Sequence, residues 1–324
     1  MSKPAARYLW WGLAPKTRSS YEAPKSSYEK FCVSAGITTL YPASTHALAN
    51  WIGHLGDRHI AYTTIKSYLT GLKSAHTDQG YDGDAFEHPL LKRVAKGVRR
   101  MRGETNTLER QPITKGVLLK MLSCFNQNQL MGATLHISFC LAFAGFLRIG
   151  EFTWEAGDLT EDFTSYFALR SSVELLDDRL YLILPASKTD PFRKGITLTI
   201  TAINDNTYLV RSLKYLFTRF PSHLLDLLFF PGQPFTRQLV TQALRDTLKS
   251  LGIQGHYSGH SFRRGAATSA RENGLSDDEI QLLGRWKSDS YRLYIVANPS
   301  YIFNASRRQQ RCPANPSTRR RRPP

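Results

Sequence analysis

Cysteine is scarce in this chain. Cys32, Cys124, Cys140 and Cys312 are scattered through 324 residues. None forms a Cys-x-x-Cys pair, and no His/Cys cluster offers metal-ligand spacing. This usage fits a reducing compartment, with Cys140, inside an apolar run, read as a core thiol. A secretory signal is also missing. The apolar stretch Tyr8–Ala14 is short, lacks a small-residue cleavage site and runs into Pro15-Lys16. The run Ile137–Leu147 is too short to span a bilayer and ends at an arginine. No internal repeat, P-loop pattern or carboxylate cluster is present. A soluble, intracellular protein with no metal, nucleotide or other cofactor is expected.

Acidic residues are outnumbered: 26 Asp and Glu stand against 43 Lys and Arg, a formal net charge of +17. A surplus that large implies a polyanionic partner, with nucleic acid the first candidate. Hydrophobic residues make up 41%. The length and this apolar content suit a sizeable core divided between two domains.

Helical spacing of apolar residues recurs through the first hundred positions. It predicts helices over Thr17–Ser34, Thr45–Leu55, Thr63–Gln79 and His88–Met101, hence a compact all-α bundle. The last of these carries Lys92, Arg93, Lys96, Arg99, Arg100 and Arg102, with few acids between them. The cluster reads as a phosphate-contacting face, because bound Lys and Arg release the counterions of a nucleic-acid backbone. A merely solvated face is the alternative.

A polar stretch, Gly103 to Pro112, reads as a linker. Helices are predicted over Lys115–Asn126 and Met131–Ala144, the second nearly all apolar and so buried. Ser165–Ser172, Arg179–Pro185 and Ile196–Ile200 are rich in Tyr, Val, Ile, Leu and Thr and read as strands of a small antiparallel sheet. Helices resume at Asp205–Phe220, Thr236–Leu251 and His260–Asn273. Another opens on Ser276 with Glu279 three residues on, a capping-box pattern, and stops near Gly284. The expected division is therefore 1–102 helical, 103–112 linker, 113–304 catalytic and 305–324 a disordered basic tail. That tail carries Arg307, Arg308, Arg311 and Arg319–Arg322. It could serve nuclear targeting, extra DNA contact or solubility.

Five patches of the second domain could carry chemistry. Arg148 directly follows the buried helix, with Glu151 three residues on. Lys188 lies in Ser187-Lys188-Thr189-Asp190, between two strands. His260 and Arg263 share a helical face. Gly284-Arg285-Trp286 follows the capped helix, and Tyr294 stands nine positions past Arg285. Each patch alone has an ordinary structural explanation. The ordered set Arg, Lys, His-x-x-Arg, Trp, Tyr is far more specific.

In that order and context the chain resembles the tyrosine recombinase (phage integrase) family. Gly12-Leu13-Ala14-Pro15-Lys16-Thr17 with Tyr21, and Ser67-Tyr68-Leu69-Thr70-Gly71-Leu72, look like the family's core-binding domain. Lys188-Thr189-Asp190 and Leu283-Gly284-Arg285-Trp286 look most like Crypton-type recombinases of eukaryotic mobile elements. The resemblance implies an all-α, SAM-like core-binding bundle. It also implies a mixed α+β catalytic domain, the DNA breaking-rejoining fold, with a small antiparallel sheet. The two would clamp double-stranded DNA from opposite sides. Four protomers would assemble on two DNA sites, exchanging a carboxy-terminal segment, and the chain would be monomeric or weakly associated without DNA. A nuclear destination follows from the mobile-element reading; no membrane partner is expected, since the apolar run Ile137–Leu147 is too short to span a bilayer.

The chemistry of the residues agrees. Arg148 and Arg263 are suited to the non-bridging oxygens of a phosphodiester, because guanidinium stays charged and binds phosphate through paired N–H groups. Tyr294 can attack phosphorus and form a covalent intermediate. His260 would take and return the proton of its hydroxyl. Lys188, by resemblance, would protonate the leaving 5′ oxygen. Arg285 or Trp286 would donate a further hydrogen bond to phosphate. Glu151 would support the arginine or the histidine structurally, or else act only as an acid at a helix start. Tyr291, one helical turn before Tyr294, is a second candidate nucleophile. Since the phosphotyrosine bond retains the energy of the broken linkage, no ATP is needed. Two rival readings share these residues: a type IB topoisomerase, and a catalytically inactive DNA-binding protein derived from a mobile element.

Overall fold

The computed structural model describes residues 1–103, 110–159, 163–186, 190, 194–202, 209–295 and 307. The chain divides into two units, Met1–Leu108 and Glu109–Pro324. Of the sequence expectations, residues 104–109 of the linker, Lys188 with its neighbours Ser187 and Thr189, and all of the basic tail but Arg307 lie outside the described residues.

The first unit is helical: α1 (Lys3–Trp11), α2 (Pro15–Ser34), α3 (Thr45–Asp57), α4 (Tyr62–Asp78), the short α5 (Asp84–Glu87) and α6 (Pro89–Arg102). Its starts follow local chemistry. Pro15 and Pro89 occupy first turns, where their missing N–H costs nothing. The Ser44 hydroxyl accepts the Ala47 N–H at 3.2 Å to open α3. α2 packs on α4, and α3 on α6, around Tyr28, Leu48, Trp51, Ile52, Ile65, Leu72 and Leu91. Each such fully buried side chain contributes about 1.5–3 kcal/mol. His76 is built into this core: Nδ1 lies 2.8 Å from the Leu72 carbonyl, while Nε2 accepts the Ala43 N–H at 2.9 Å. α6 buries Leu91 and Ala95 and leaves Lys92, Arg93, Lys96, Arg99, Arg100 and Arg102 exposed. α1 was not anticipated from the sequence. It buries nothing, so no apolar stripe announced it.

In the second unit, α7 (Lys115–Leu122) and α8 (Leu130–Ala144) precede a three-stranded antiparallel sheet of β1 (Val173–Leu175), β2 (Arg179–Leu184) and β3 (Ile196–Thr201), in that order. Then come α9 (Leu209–Arg219), α10 (Arg237–Ser250), α11 (His260–Glu272) and α12 (Asp277–Gly284). Leu182 pairs with Leu198 and Leu180 with Ile200, so one sheet face is apolar and buried. α8 is buried along most of its length and packs against α7, α9 and α11. The architecture is the all-α plus small-sheet α+β arrangement that the sequence implied.

The structure differs from the sequence expectation at one strand. Ser165–Ser172 is not a strand of the sheet; it holds 3-10 turns at Phe163–Ser165 and Arg170–Ser172, and β1 begins only at Val173. Its backbone bonds are taken elsewhere. Arg170 N–H donates to the Asp226 carbonyl at 2.9 Å, Ser171 N–H to Leu224 at 2.8 Å, and Leu228 N–H to Ala168 at 2.9 Å. Aromatic and β-branched composition suggests a strand here, but the segment is mostly turn, with an isolated bridge of Leu169 to Leu227.

Candidate active site

Helix α8 ends at Gly145, and Phe146 takes a left-handed turn at φ 50°. The turn delivers Arg148 to the start of a 3-10 turn, Ile149–Glu151. Glu151 closes back on it: Oε2 accepts the Arg148 backbone N–H at 3.0 Å and Oε1 accepts Arg148 Nη1 at 2.8 Å. Oε2 also accepts Arg285 Nη2 at 3.0 Å. The Glu151 side chain is only 3% exposed. A buried carboxylate persists only when paired, and here it is shared by two guanidinium groups.

Arg285 reaches that position because of how α12 ends. Ser276 and Glu279 form the capping box at its start, with Glu279 N–H on Ser276 Oγ at 3.2 Å and Ser276 N–H on Glu279 Oε2 at 2.7 Å. At its end Arg285 adopts a left-handed conformation, φ 56°, and the Trp286 N–H returns to the Gln281 carbonyl at 3.0 Å. The Trp286 indole then folds flat against Gly284, where a Cβ would overlap the ring. The Arg285 guanidinium turns inward, donating to the Gly145 carbonyl at 2.9 Å and to Phe146 at 3.4 Å as well as to Glu151.

His260 and Arg263 open α11. Arg263 is fully buried, with Nη1 on the Phe146 carbonyl at 2.6 Å and Nη2 on the Gly284 carbonyl. Its guanidinium lies 4.0 Å from the centre of the Trp286 ring, a cation–π contact. Its Nε is buried and has no acceptor among the described residues. Burial first, then the charges of Arg148 and Arg285, push this guanidinium down to about 9. It therefore remains a cation at neutral pH.

After Trp286 the chain makes a 3-10 turn, Asp289–Leu293, followed by Tyr294. Two tyrosines separate here. Tyr291 is 2% exposed and belongs to an apolar cluster with Phe146, Ala266, Ala267, Ile280 and Trp286. The hydroxyl of Tyr294 lies 3.3 Å from His260 Nδ1, and its ring centre 5.4 Å from that of Trp286. Burial pushes the His260 imidazole below its usual range, and the charges of Arg110, Arg237, Arg148 and Arg263 push it further. At neutral pH this imidazole is uncharged, with a lone pair for a proton.

Arg148, Glu151, His260, Arg263, Arg285, Trp286 and Tyr294 are thus gathered in one place. The six cations of α6 lie in the other unit. There Lys92 is 3.7 Å from Glu87, Arg102 pairs with Asp57 at 3.0 Å, and Arg99 lies over the Tyr62 ring at 5.3 Å. Sequence reasoning passed over Arg110 and Arg237, whose charge reaches His260. It also passed over Arg264 and Thr268, which fall at four-residue steps from His260 on α11. That step was the available signal.

A family model described as the phage integrase family matches residues 185–298. An integrase/recombinase xerD homolog from Selenomonas ruminantium is 26% identical over 308 residues, spanning 89% of this chain and 83% of the relative. Over residues 185–298 the chain is similar to the phage integrase family. The family's tyrosine recombinases cleave and rejoin DNA. The matched stretch holds Lys188, His260, Arg263, Arg285, Trp286 and Tyr294; Arg148 and Glu151 precede it. Solved structures carry the same fold. One is the XerH site-specific recombinase bound to palindromic difH substrate in a post-cleavage complex. It has TM-score 0.63 and 13% identity, covering 90% of this chain and 80% of that one. Another is a lambda integrase (75-356) dimer bound to a COC' core site, with TM-score 0.55 and 17% identity over 92% and 97%.

Proposed function

We propose that the chain is a site-specific DNA recombinase that breaks and rejoins strands through a covalent bond between Tyr294 and a 3′ phosphate. The observation that carries this is the Tyr294 hydroxyl at 3.3 Å from an uncharged His260, within a pocket of guanidinium groups. His260 takes the hydroxyl proton as the phenol oxygen attacks phosphorus, and returns it on religation. Arg148, the most accessible of the three guanidinium groups around Glu151 and Phe146, and Arg263, through its unpaired Nε, receive the phosphate oxygens. The inward fork of Arg285 supports a different role for it: holding Glu151 and the turn after α8 in place, with Trp286 covering Arg263. Lys188 protonates the departing 5′ oxygen, a role taken from the family resemblance.

Double-stranded DNA is the partner, in keeping with the net charge of +17 and with the DNA in the XerH and lambda integrase complexes. The α6 cations contact its backbone. Assembly of four protomers, a mobile-element origin and a nuclear destination extend the same reading and rest on the sequence. Division at 1–102, 103–112, 113–304 and 305–324 goes with it. The test is covalent trapping on nicked duplexes, with Tyr294→Phe beside the unsubstituted chain. A DNA-linked peptide containing Tyr294 supports the function. Relaxation of supercoiled plasmid without site preference would instead support topoisomerase-like action.

A further inference from the structure

Three residues of α11, spaced four apart, touch the segment that bears Tyr294. His260 Nδ1 lies 3.3 Å from the Tyr294 hydroxyl, Arg264 Nη2 donates to the Leu293 carbonyl at 2.6 Å, and Thr268 Oγ1 donates to the Tyr294 carbonyl at 3.4 Å. One helical face therefore meets this segment at its side-chain tip and on both adjoining carbonyls. Arg264 does more than hold one strand. Its Nη1 donates to the Arg110 carbonyl at 2.6 Å, where the chain enters the second unit. That entry segment is fixed on α11: the Ile113 N–H donates to the Ser261 carbonyl at 3.0 Å, and Gly265 leaves room for the Ile113 backbone, which any Cβ would overlap.

We infer that Arg264 is a positioning residue for the nucleophile, a guanidinium strut that fixes the Tyr294 segment against the Arg110 entry segment. The physical basis is the planar fork. One guanidinium presents N–H groups in fixed directions, so two carbonyls bound to it are held at a set separation. The Leu293 carbonyl is one residue before Tyr294 and 29 residues from Arg264, while the Arg110 carbonyl is 154 residues away. A lysine in its place has one ammonium on a flexible stem and cannot set that separation.

The inference rests on Tyr294 being the nucleophile, and the test separates the two claims. The full chain, Arg264→Ala and Arg264→Lys are compared on the nicked duplex that the unsubstituted chain selects, through its own adduct, from a random-sequence library. A parallel set carries Tyr294→Phe and is given hydroperoxide. Hydroperoxide attacks phosphorus, the bond from phosphorus to the 5′ oxygen breaks, and that oxygen leaves with a proton as a 5′-hydroxyl.

For Arg264→Ala, adduct formation at saturating DNA should fall about 30- to 100-fold, the scale set by a misplaced reacting group. The DNA concentration for half-maximal rate should change less than about threefold. Arg264→Lys should regain about a third of the loss on a logarithmic scale, by restoring one of two bonds. Hydroperoxide cleavage should stay within about threefold of Tyr294→Phe alone, since it does not use the tyrosine segment. An adduct rate unaffected by Arg264→Ala overturns the inference. So does a parallel fall in hydroperoxide cleavage, which would make Arg264 a support of the whole pocket. If the unsubstituted chain forms no adduct on any duplex, the function fails and the inference falls with it.

Discussion

Replacing Glu151 by glutamine removes one negative charge from between two guanidinium groups and leaves the shape of the side chain intact. The carboxylate now accepts three N–H donors: Arg148 N and Arg285 Nη2 on Oε2, and Arg148 Nη1 on Oε1. Glutamine has one acceptor oxygen. If that oxygen keeps the two donors of Oε2, the amide NH2 faces Arg148 Nη1, donor against donor. Breaking a buried ion pair from one side costs about 3–5 kcal/mol, and the hydrogen bonds glutamine retains should hold the loss to about 2–3 kcal/mol. For a unit of this size each kcal/mol moves Tm by about 2–4 °C, so the second unit should melt about 5–10 °C lower. Arg148 also loses its anchor, and adduct formation should slow by about tenfold or more even well below the melting temperature. Scanning fluorimetry and covalent trapping read the two effects separately. An unchanged Tm together with an unchanged adduct rate would falsify the reasoning, because the triple acceptance by Glu151 would then be idle.

Gly284→Ala places a methyl group in the Trp286 ring, and overpacking of this kind costs about 1–3 kcal/mol; Tm should drop and the trapped adduct with it, since the ring also covers Arg263. The adduct rate should rise with pH through an inflection below 6.5, as His260 is held below that value. Arg237→Gln removes one of the cations responsible and should move the inflection upward. The same depression has a stability consequence: His260 is fully stabilising above 6.5, and stability is lost as pH falls from there through the lowered value. Joint replacement of Arg93, Lys96 and Arg100 by glutamine should lower the slope of log K against log salt by about 2–3, if all three meet phosphates.

The sequence carried the helices well where burial is one-sided. α3, α4 and α10 announce themselves by apolar spacing, and α12 by Ser276 and Glu279. It failed where the partner is remote or no face is buried. α1 has no buried residue to set a period, and the backbone bonds of Ala168, Arg170 and Ser171 go to Leu228, Asp226 and Leu224, a pairing that composition does not encode. The site was legible as a residue set, because each member sits in a short motif. The direction of Arg285 was not. A left-handed residue after α12 turns its side chain toward carbonyls 139 and 140 positions away. Arg110 and Arg237 were invisible for the same reason: their charge reaches His260 across the fold.

The central claim is that Tyr294 is the nucleophile, and covalent trapping tests it most directly. The chain is mixed with nicked duplexes drawn from a random-sequence library and denatured, and the DNA-linked peptide is identified by mass spectrometry. The account predicts an adduct on Tyr294 that Tyr294→Phe abolishes and Tyr291→Phe leaves in place. An adduct on Tyr291, whose ring is 2% exposed here, would contradict it. So would the absence of any adduct from a chain that binds the library.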